Sequence, residues 1–500
     1  MKKIGFDTEK YLTKQSDQIL EHVKGIDKLY LEFGGKLIGD KHAKRVLPGF
    51  DEDAKMKLLE TLKDNAEIII CVYAGDIDSN KIRGDYGITY DLEVLRLIDE
   101  YHAHQIRVNS VLLTRYNGQP NARSFMINLE RRGIKVYTHQ AIEGYPTSID
   151  LEGENGFGVN PYIETTKPIV VVSGPGAGSG KLATCLNQLY HEHRQGKKAS
   201  YAKFETFPVW NLPLKHPVNV AYEAATVDLK DVNMIDSYHY EAYETVAVNY
   251  NRDLKMFPVI RRILEHLASD TDYKSPTDMG VNCIKDGIID EEVVMKAAND
   301  EIIRRSFETE NAFKNGQIDE ETLRRMQLIM EESGLKPEDR IPVLQAREYS
   351  KQLQERFGSD DLQPVVSMEL NDGQIISGRT SELMDASGSV ILNSLKWLAG
   401  IADQIDLLAP SILQTIQELK TGALSGKTPT LSANELLIAL AISAVTNPTA
   451  RLAYDKLEQL QGIQAHSTHI LTKENEQTLK KLGIEITNDP IFPKGNLYYQ

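Results

Sequence analysis

The chain has 500 residues, of which 41% are hydrophobic and 26% are charged, and its 72 acidic and 57 basic residues give a net charge of −15. This composition is typical of a globular protein with two to four domains. The negative charge disfavours broad binding to nucleic acids, because it repels phosphodiester backbones.

The sequence also lacks the marks of a membrane or secreted protein. The longest apolar runs, near residues 68–72 and 436–445, fall short of the roughly 18 to 20 residues that a membrane-spanning helix needs. The first residues do not have the pattern of a signal peptide. Three widely separated cysteines without CxxC spacing argue against a disulfide framework or a cysteine-ligated zinc site. We therefore expect a cytoplasmic protein without a membrane partner.

Short runs rich in β-branched residues alternate with helical patterns over the first half of the chain. These runs are residues 29–33, 68–73, 108–113, 134–138, 169–172 and 200–204. Near-continuous hydrophobicity indicates strands that are buried on both faces, as in a parallel sheet with helical crossovers. The sequence predicts a doubly wound, mostly parallel α/β domain over residues 1–270.

Two further parts are predicted after this domain. Residues 271–335 form a helical connector or insert, because their second half is charged and has helical periodicity without a strand pattern. Residues 336–500 contain a hairpin pattern around Asn371-Asp372-Gly373, then four helical patterns and a strand that includes Ile470. The sequence therefore predicts a smaller α+β C-terminal domain.

The strongest motif lies where the predicted strand 169–172 ends. Residues 173–181 read Ser-Gly-Pro-Gly-Ala-Gly-Ser-Gly-Lys, and an amphipathic helical pattern follows. Glycines allow backbone N–H groups to turn around an anion, while a helix start and a lysine add positive charge. This P-loop-like strand-turn-helix predicts a phosphate site formed by Gly174, Gly176, Gly178, Ser179, Gly180, Lys181 and Thr184.

The motif departs from the P-loop rule at two positions. Pro175 replaces a glycine, and Leu182 replaces the serine or threonine whose hydroxyl holds magnesium. ATP hydrolysis of the usual kind is therefore in doubt, and Ser179 or Thr184 could supply a hydroxyl only in a loop of different geometry. The alternative is a tightly packed turn that leaves Lys181 in solvent.

Polar residues at other predicted strand ends are further candidates, because ligands of open α/β sheets bind beyond the carboxyl ends of the strands. Glu205 and Asp236 are candidate catalytic residues that could hold a metal ion. The candidate substrate-binding residues are Lys36, Arg115, Asn117 and Arg252. Arg252 could instead pair with Asp253 or Glu244 at the surface.

Other chemistries have less support in the sequence. The twelve histidines include no HExxH motif, so no zincin site is predicted and no metal site is assigned beyond the candidate roles of Glu205 and Asp236. In the C-terminal part, Ser467, His466 and Asp385 could form a nucleophile with its base. No GxSxG motif accompanies them.

Four segments carry a family resemblance: residues 31–37, 45–50, 174–185 and 249–253. They resemble an uncharacterised bacterial family known as domain of unknown function 1846, and the resemblance extends over essentially the whole chain. It implies an α/β N-terminal part and a smaller C-terminal domain. It also implies that Pro175 and Leu182 are features of the family, which favours a specialised anion site.

These features lead to two expected functions. The first is a phosphotransferase or nucleotide-dependent enzyme, in which Lys181 stabilises the transferred group and the cofactor could be a nucleotide with magnesium. The alternative is a non-catalytic protein that senses a phosphorylated metabolite. In both cases the partner is a phosphorylated small molecule, and the chain could form a homo-oligomer.

Overall fold

A computed structural model describes residues 3–83, 87–146, 156–267, 273–358, 361–426 and 428–493. The chain divides into two compact units, which we call the first unit (residues 4–298) and the second unit (residues 299–500, to which residues 1–3 are also assigned). Within the described ranges, no helix combines the length and the hydropathy that are needed to cross a membrane.

The strands of the first unit account for its central sheet and two small ribbons. In chain order they are β1 (Lys28–Phe33), β2 (Ala66–Tyr73), β3 (Ile82–Arg83), β4 (Ile88–Thr89), β5 (Val108–Thr114), β6 (Val136–Thr138), β7 (Ile169–Ser173), β8 (Ala199–Phe204), β9 (Asn233–Ile235), β10 (Val248–Tyr250) and β11 (Gly280–Val281).

Seven of these strands form one all-parallel sheet in the order β11-β8-β1-β7-β2-β5-β6. Strands β3 with β4 and β9 with β10 form two separate antiparallel pairs. The predicted parallel α/β sheet is confirmed, and each of the six predicted strands lies in it. Its edge strand β11 lies beyond residue 270; the predicted three-part division of the chain stays a prediction.

Helices connect these strands. In chain order they are α1 (Thr8–Val23), α2 (Lys41–Val46), α3 (Ala54–Leu62), α4 (Ala74–Asp78), α5 (Tyr90–Ala103), α6 (Pro120–Arg131), α7 (Lys181–Arg194), α8 (Pro217–Ala225), α9 (Ser237–Tyr243), α10 (Asn251–Leu267), α11 (Pro276–Met279), α12 (Ile284–Gly287) and α13 (Glu291–Lys314), within which the boundary between the units falls. Single 3₁₀ turns occur at Phe157–Val159 and Val227–Leu229.

The chain leaves the neighbouring strands β1 and β7 in opposite directions across the sheet. From β1 it continues to β2, towards the β6 edge, whereas from β7 it continues to β8, towards the β11 edge. In open parallel sheets, ligands bind in the crevice outside the carboxyl ends of strands at such a reversal. The carboxyl ends of β1 and β7 are therefore the place to look for a site.

One face of the central strands packs against α7 and α10. The core between them contains alternate residues of the strands and apolar residues of the two helices. These are Tyr30, Val170, Val172 and Tyr201 from the strands and Cys185, Leu186, Leu189, Phe257, Ile260 and Leu264 from the helices. Because strand side chains alternate between faces, Glu32 of β1 and Lys203 of β8 lie on this same face, one step beyond Tyr30 and Tyr201.

The second unit contains a mixed four-stranded sheet in the order β13-β12-β14-β15. Its elements are α14 (Glu320–Ser333), α15 (Ile341–Phe357), β12 (Val365–Glu369), β13 (Ile375–Arg379), α16 (Ala386–Leu398), α17 (Pro410–Thr421), α18 (Ala433–Ser443), α19 (Pro448–Tyr454), β14 (Gln464–Ser467), α20 (Lys473–Lys481) and β15 (Glu485–Asn488), with 3₁₀ turns at Pro337–Asp339 and Leu457–Leu460.

The hairpin predicted for this unit is confirmed, since β12 and β13 pair antiparallel and Gly373 has φ +83° in the turn. The expectation of a strand containing Ile470 is wrong. Strand β14 ends at Ser467, whose hydroxyl donates to the His469 carbonyl at 2.7 Å and so turns the chain before Ile470.

Candidate functional site

The glycine loop, residues 174–180, connects the central strand β7 to α7. Gly178 and Gly180 have φ of +74° and +92°, a region that side chains with a Cβ rarely adopt. Gly180 is the N-cap of α7 and offers no side chain to the first turn. The sequence therefore needs glycine at these two positions to turn directly from the strand into the helix.

Two other glycines of the loop are required by packing. A Cβ on Gly174 would lie 2.4 Å from the Cys71 carbonyl oxygen, and a Cβ on Gly176 would lie 2.7 Å from the Tyr90 hydroxyl. No such contact exists at Gly178, where nothing lies within 4 Å of the added atom. The tightly packed turn that was the alternative interpretation thus describes one side of the loop, while Gly178 faces open space.

The backbone N–H groups of the loop are available to a ligand. From residue 176 to residue 183, none of them donates a hydrogen bond to an acceptor in the described part of the chain. The last of these belong to the first turn of α7, where such donors are normal; the earlier ones extend the row through the glycine loop. Ala177 and Gly178 are exposed, so the loop is open to solvent at these two positions.

The two loop hydroxyls face inward. Ser179 donates to the Gly176 carbonyl and Thr184 to the Gly180 carbonyl, each at 2.9 Å, and both residues are 1% exposed. The Cys71 thiol donates to the Thr184 hydroxyl at 3.3 Å. These hydroxyls stabilise the turn, and neither is presented at the surface of the loop.

Two basic side chains contact the loop. The Lys181 ammonium lies 3.4 Å from the Gly176 carbonyl oxygen and so folds back over the loop. Arg115, which follows β5 with φ +51°, donates to the Gly178 carbonyl and stacks with its guanidinium 3.5 Å from the centre of the Tyr73 ring. The structure thus brings together two of the predicted residues, Lys181 and Arg115.

A group of charged residues, which we call the edge cluster, lies at the carboxyl ends of β1 and β8. It consists of Glu32, Lys203, Glu205 and Asp253. The Lys203 ammonium is 2.5 Å from Glu205 Oε1 and 2.8 Å from Asp253 Oδ2. Glu32 is opposite Lys203 in the β1–β8 register and accepts a hydrogen bond from the Tyr201 hydroxyl at 2.7 Å.

Burial and mutual repulsion shape the protonation of this cluster. Burial raises the pKa of Glu205 to about 7, with further raising by Asp253 and Glu32, while Lys203 opposes the rise. Although burial lowers it, the pKa of Lys203 is raised overall, because three carboxylates surround its ammonium. Lys203 is therefore a fixed cation, and Glu205 can exchange a proton near neutral pH.

The edge cluster and the glycine loop act on the same buried groups. Burial raises the pKa of the Cys71 thiol to about 12, Lys181 lowers it and Glu32 raises it. The same two charges act with the same signs on the Cys185 thiol, whose pKa burial raises. Glu32 at the end of β1 and Lys181 at the start of α7 therefore act with opposite signs on the same two thiols.

Other predicted residues are engaged in local structure. Asp236 is the buried N-cap of α9 and accepts from the His239 N–H at 3.0 Å and the Thr277 hydroxyl at 2.6 Å. Arg252 is paired with Asp231 at 3.1 Å, instead of with Asp253 or Glu244.

Two more predicted substrate residues lie in loops that follow strands of the sheet. Asn117 is exposed after β5, and its backbone N–H donates to Gln119. Lys36 is exposed after β1, and its carbonyl accepts from the buried Lys55 ammonium at 2.9 Å. Lys55, which the sequence reasoning missed, also pairs with Asp40 at 3.0 Å and so fixes this loop.

The hydroxyl and histidine candidates of the second unit are also structural. Asp385 caps α16 by accepting from the Gly388 N–H at 2.8 Å. His466 is fully buried between the Thr487 hydroxyl and the Asp489 carboxylate, at 2.9 and 3.4 Å. Ser467 donates to a neighbouring carbonyl and not to His466. In the ranges that the structure covers, no three histidine, cysteine or carboxylate groups are arranged to share a metal ion.

Comparison with known proteins identifies the family. The model described as Domain of unknown function DUF1846, N-terminal, matches residues 4–334, and its C-terminal counterpart matches residues 338–498. The chain belongs to this family. The predicted resemblance is thus confirmed over essentially the whole chain.

Similar proteins come from clostridia. The UPF0371 protein of Clostridium tetani (strain Massachusetts / E88) is 60% identical over 499 residues, which cover 99% of both chains. UPF0371 proteins of Clostridium botulinum are 60% identical in strain Langeland and 58% identical in strain Eklund 17B, again over 99% of both chains.

Proposed function

We propose that this protein binds the phosphate group of a small molecule at the glycine loop. The observation that carries the proposal is the row of N–H groups without acceptors at residues 176–183, placed where β1 and β7 send the chain in opposite directions. Such a row at a helix start attracts an anion through hydrogen bonds and through the helix dipole. Lys181, folded over the loop, adds a full positive charge.

We further infer that the bound phosphate takes part in phosphoryl transfer, with Lys181 and Glu205 as the candidate catalytic residues. Phosphoryl transfer depends mainly on positioning and on charge stabilisation, which the N–H groups and Lys181 can supply. Glu205, whose pKa is about 7, can accept the proton of an attacking hydroxyl. The predicted role of Asp236 has less support, because protein donors already bind both of its carboxylate oxygens.

The loop does not fit a hydroxyl-ligated magnesium ion of the P-loop kind. Leu182 has no hydroxyl, and the hydroxyls of Ser179 and Thr184 are buried beneath the loop. We therefore assign no step to a metal ion or a magnesium nucleotide.

The experiment is a titration of the full chain with inorganic phosphate, ATP and GTP, and the quantity measured is the shift of the thermal unfolding midpoint. A ligand at about 100 times its Kd adds roughly 2.7 kcal/mol of stability. Lys181→Ala should lose a charge-assisted contact and bind about 10- to 150-fold more weakly. Lys10→Ala, which removes an exposed lysine of α1, is the matched control. Equal responses of Lys181→Ala and the parent would contradict the proposal.

The second candidate is a sensor of a phosphorylated metabolite. The observation that favours it is that both loop hydroxyls point inward, so the loop presents no hydroxyl ligand to magnesium. A sensor can hold phosphate without magnesium. The protein is a sensor if phosphate compounds stabilise it to the same extent with and without magnesium and if it turns over no nucleoside triphosphate. The protein is an enzyme if it turns over substrate and if Glu205→Gln abolishes this turnover while phosphate binding persists.

A further inference from the structure

We infer that the ligand of the glycine loop is a sugar phosphate, whose hydroxyl groups bind the carboxylates of the edge cluster. This inference rests on the proposed function, because it uses the glycine loop as the phosphate site. It adds the chemical class of the remainder of the ligand.

The spacing between the two sites suits such a ligand. Glu32 is opposite Val172 in the β1–β7 register, and Gly174 begins the glycine loop two residues later. With about 4.8 Å between strands and about 3.3 Å per residue, the Cα atoms of Glu32 and Gly174 are about 8 Å apart. A sugar phosphate can extend over this distance from its phosphorus to its far hydroxyls.

The carboxylates of the edge cluster retain acceptor capacity. Glu32 uses Oε2 for Tyr201, Glu205 uses Oε1 for Lys203, and Asp253 uses Oδ2 for Lys203. Their other oxygens, Oε1, Oε2 and Oδ1, receive no hydrogen bond from any described residue. Three acceptor oxygens at neighbouring positions match a molecule that carries several hydroxyl donors.

A second observation points to a polar ligand at the same place. The Tyr250 side chain is 3% exposed, and its hydroxyl has no hydrogen-bond partner within the described residues. Tyr250 is the last residue of β10 and lies three residues before Asp253 in the chain. Burial raises its pKa, and Tyr222 and then the carboxylates of Glu205, Asp231 and Asp253 raise it further. A buried hydroxyl is rarely left without a partner in a folded protein.

The net negative charge of the cluster disfavours a phosphate there, and its free acceptor oxygens suit hydroxyl donors. Three carboxylates around one ammonium repel a phosphate, so the phosphate end of the ligand belongs at the glycine loop. An ammonium on the ligand would be attracted by the excess of carboxylates and repelled by the Lys203 ammonium, which both Glu205 and Asp253 contact, so phosphoethanolamine is the competing ligand in the test. A neutral hydroxyl meets no such repulsion.

The test is calorimetric titration of the full chain with inorganic phosphate, ribose 5-phosphate, glucose 6-phosphate and phosphoethanolamine. The parent protein should bind one of the sugar phosphates at least about tenfold more tightly than inorganic phosphate. Asp253→Asn should abolish this gain and leave the affinity for inorganic phosphate unchanged. Glu241→Gln, which removes an exposed carboxylate on α9, is the matched control and should bind like the parent.

Each other outcome has a defined meaning. Equal affinity of the parent for phosphate and both sugar phosphates, or tightest binding of phosphoethanolamine, overturns the sugar-phosphate inference and leaves the phosphate site standing. Absence of binding to all four compounds overturns the proposed function as well. If Asp253→Asn does not fold, Glu32→Gln carries the same comparison, because it changes the cluster without removing a partner of Lys203.

Discussion

The protonation of Glu205 should make the stability of this protein fall between pH 5 and pH 8. Burial beside Asp253 and Glu32 raises the pKa of Glu205 to about 7, in spite of the contact with Lys203. A carboxyl group whose pKa is higher in the folded chain than in the unfolded chain favours folding while it is protonated. That stability is fully present below the unfolded pKa and is lost as the pH rises through the folded pKa.

The size of the effect follows from the two pKa values. The shift runs from the ordinary value of 4.5 to about 7. Since one pKa unit corresponds to about 1.4 kcal/mol, the complete loss is about 3 kcal/mol. Between pH 5 and pH 8 the loss is about 2 to 3 kcal/mol, because part of the unfolded-state titration already lies below pH 5.

The assay is urea unfolding of the parent and of Glu205→Gln at pH 5 and pH 8. Glutamine has nearly the same shape and cannot ionise. The free energy of unfolding of the parent, relative to that of this variant, should therefore decrease by about 2 to 3 kcal/mol from pH 5 to pH 8. Glu241→Gln is the control and should show no such change. If the difference between the parent and Glu205→Gln were the same at both pH values, Glu205 would not titrate as the structure indicates.

Three further predictions concern stability, each checked by urea unfolding. Gly178→Ala should cost roughly 1 to 2 kcal/mol of unfolding free energy, because only its φ of +74° is strained. Gly174→Ala should cost more, because the added Cβ would lie 2.4 Å from the Cys71 carbonyl oxygen. Equal costs would contradict this prediction. Asp236→Ala should cost about 1 to 3 kcal/mol through its lost cap. Asp236→Asn should recover only part of that stability, because its Oδ1 can accept from the His239 N–H but its amide nitrogen cannot accept from the Thr277 hydroxyl. Arg340→Met should destabilise the second unit by about 3 kcal/mol, since this buried guanidinium binds the carbonyls of β14 and β15; an unchanged transition would refute that role.

Features that depend on neighbouring residues could be predicted from the sequence. The central strands β2 and β7 have continuous runs of Val and Ile because both faces of the sheet are buried, and all six predicted runs are strands in the structure. The glycine loop could be located for the same reason, since its conformation is determined within about ten residues. Its detail could not be predicted. Gly174 and Gly176 pack against Cys71 and Tyr90, which lie far away in the chain, whereas Gly178 faces open space.

Of the edge cluster, only Glu205 could be predicted from local pattern, because it follows a strand; its three partners could not. Glu32 stands inside an apolar strand, Lys203 looks like an exposed residue of an alternating strand, and Asp253 follows an arginine that offered a simpler surface pair. Their association depends on the strand order, which places β8 beside β1 although about 170 residues separate them. An available signal was the charge itself, because an acidic residue and a lysine within buried strands each require a partner.

The strand order also explains why the glycine loop and the edge cluster are neighbours. Strand β7 enters the sheet between β1 and β2, so the glycine loop emerges directly beside the end of β1, where Glu32 lies. Strand β8 then returns to the other side of β1 and brings Lys203 and Glu205 to the same edge. A sheet in the order of the sequence would separate these groups by several strands, roughly 5 Å for each strand. The reversal of direction at β1 and β7 therefore joins a row of N–H donors to a group of carboxylates, and it is this pairing that a phosphate ester with hydroxyl groups would use.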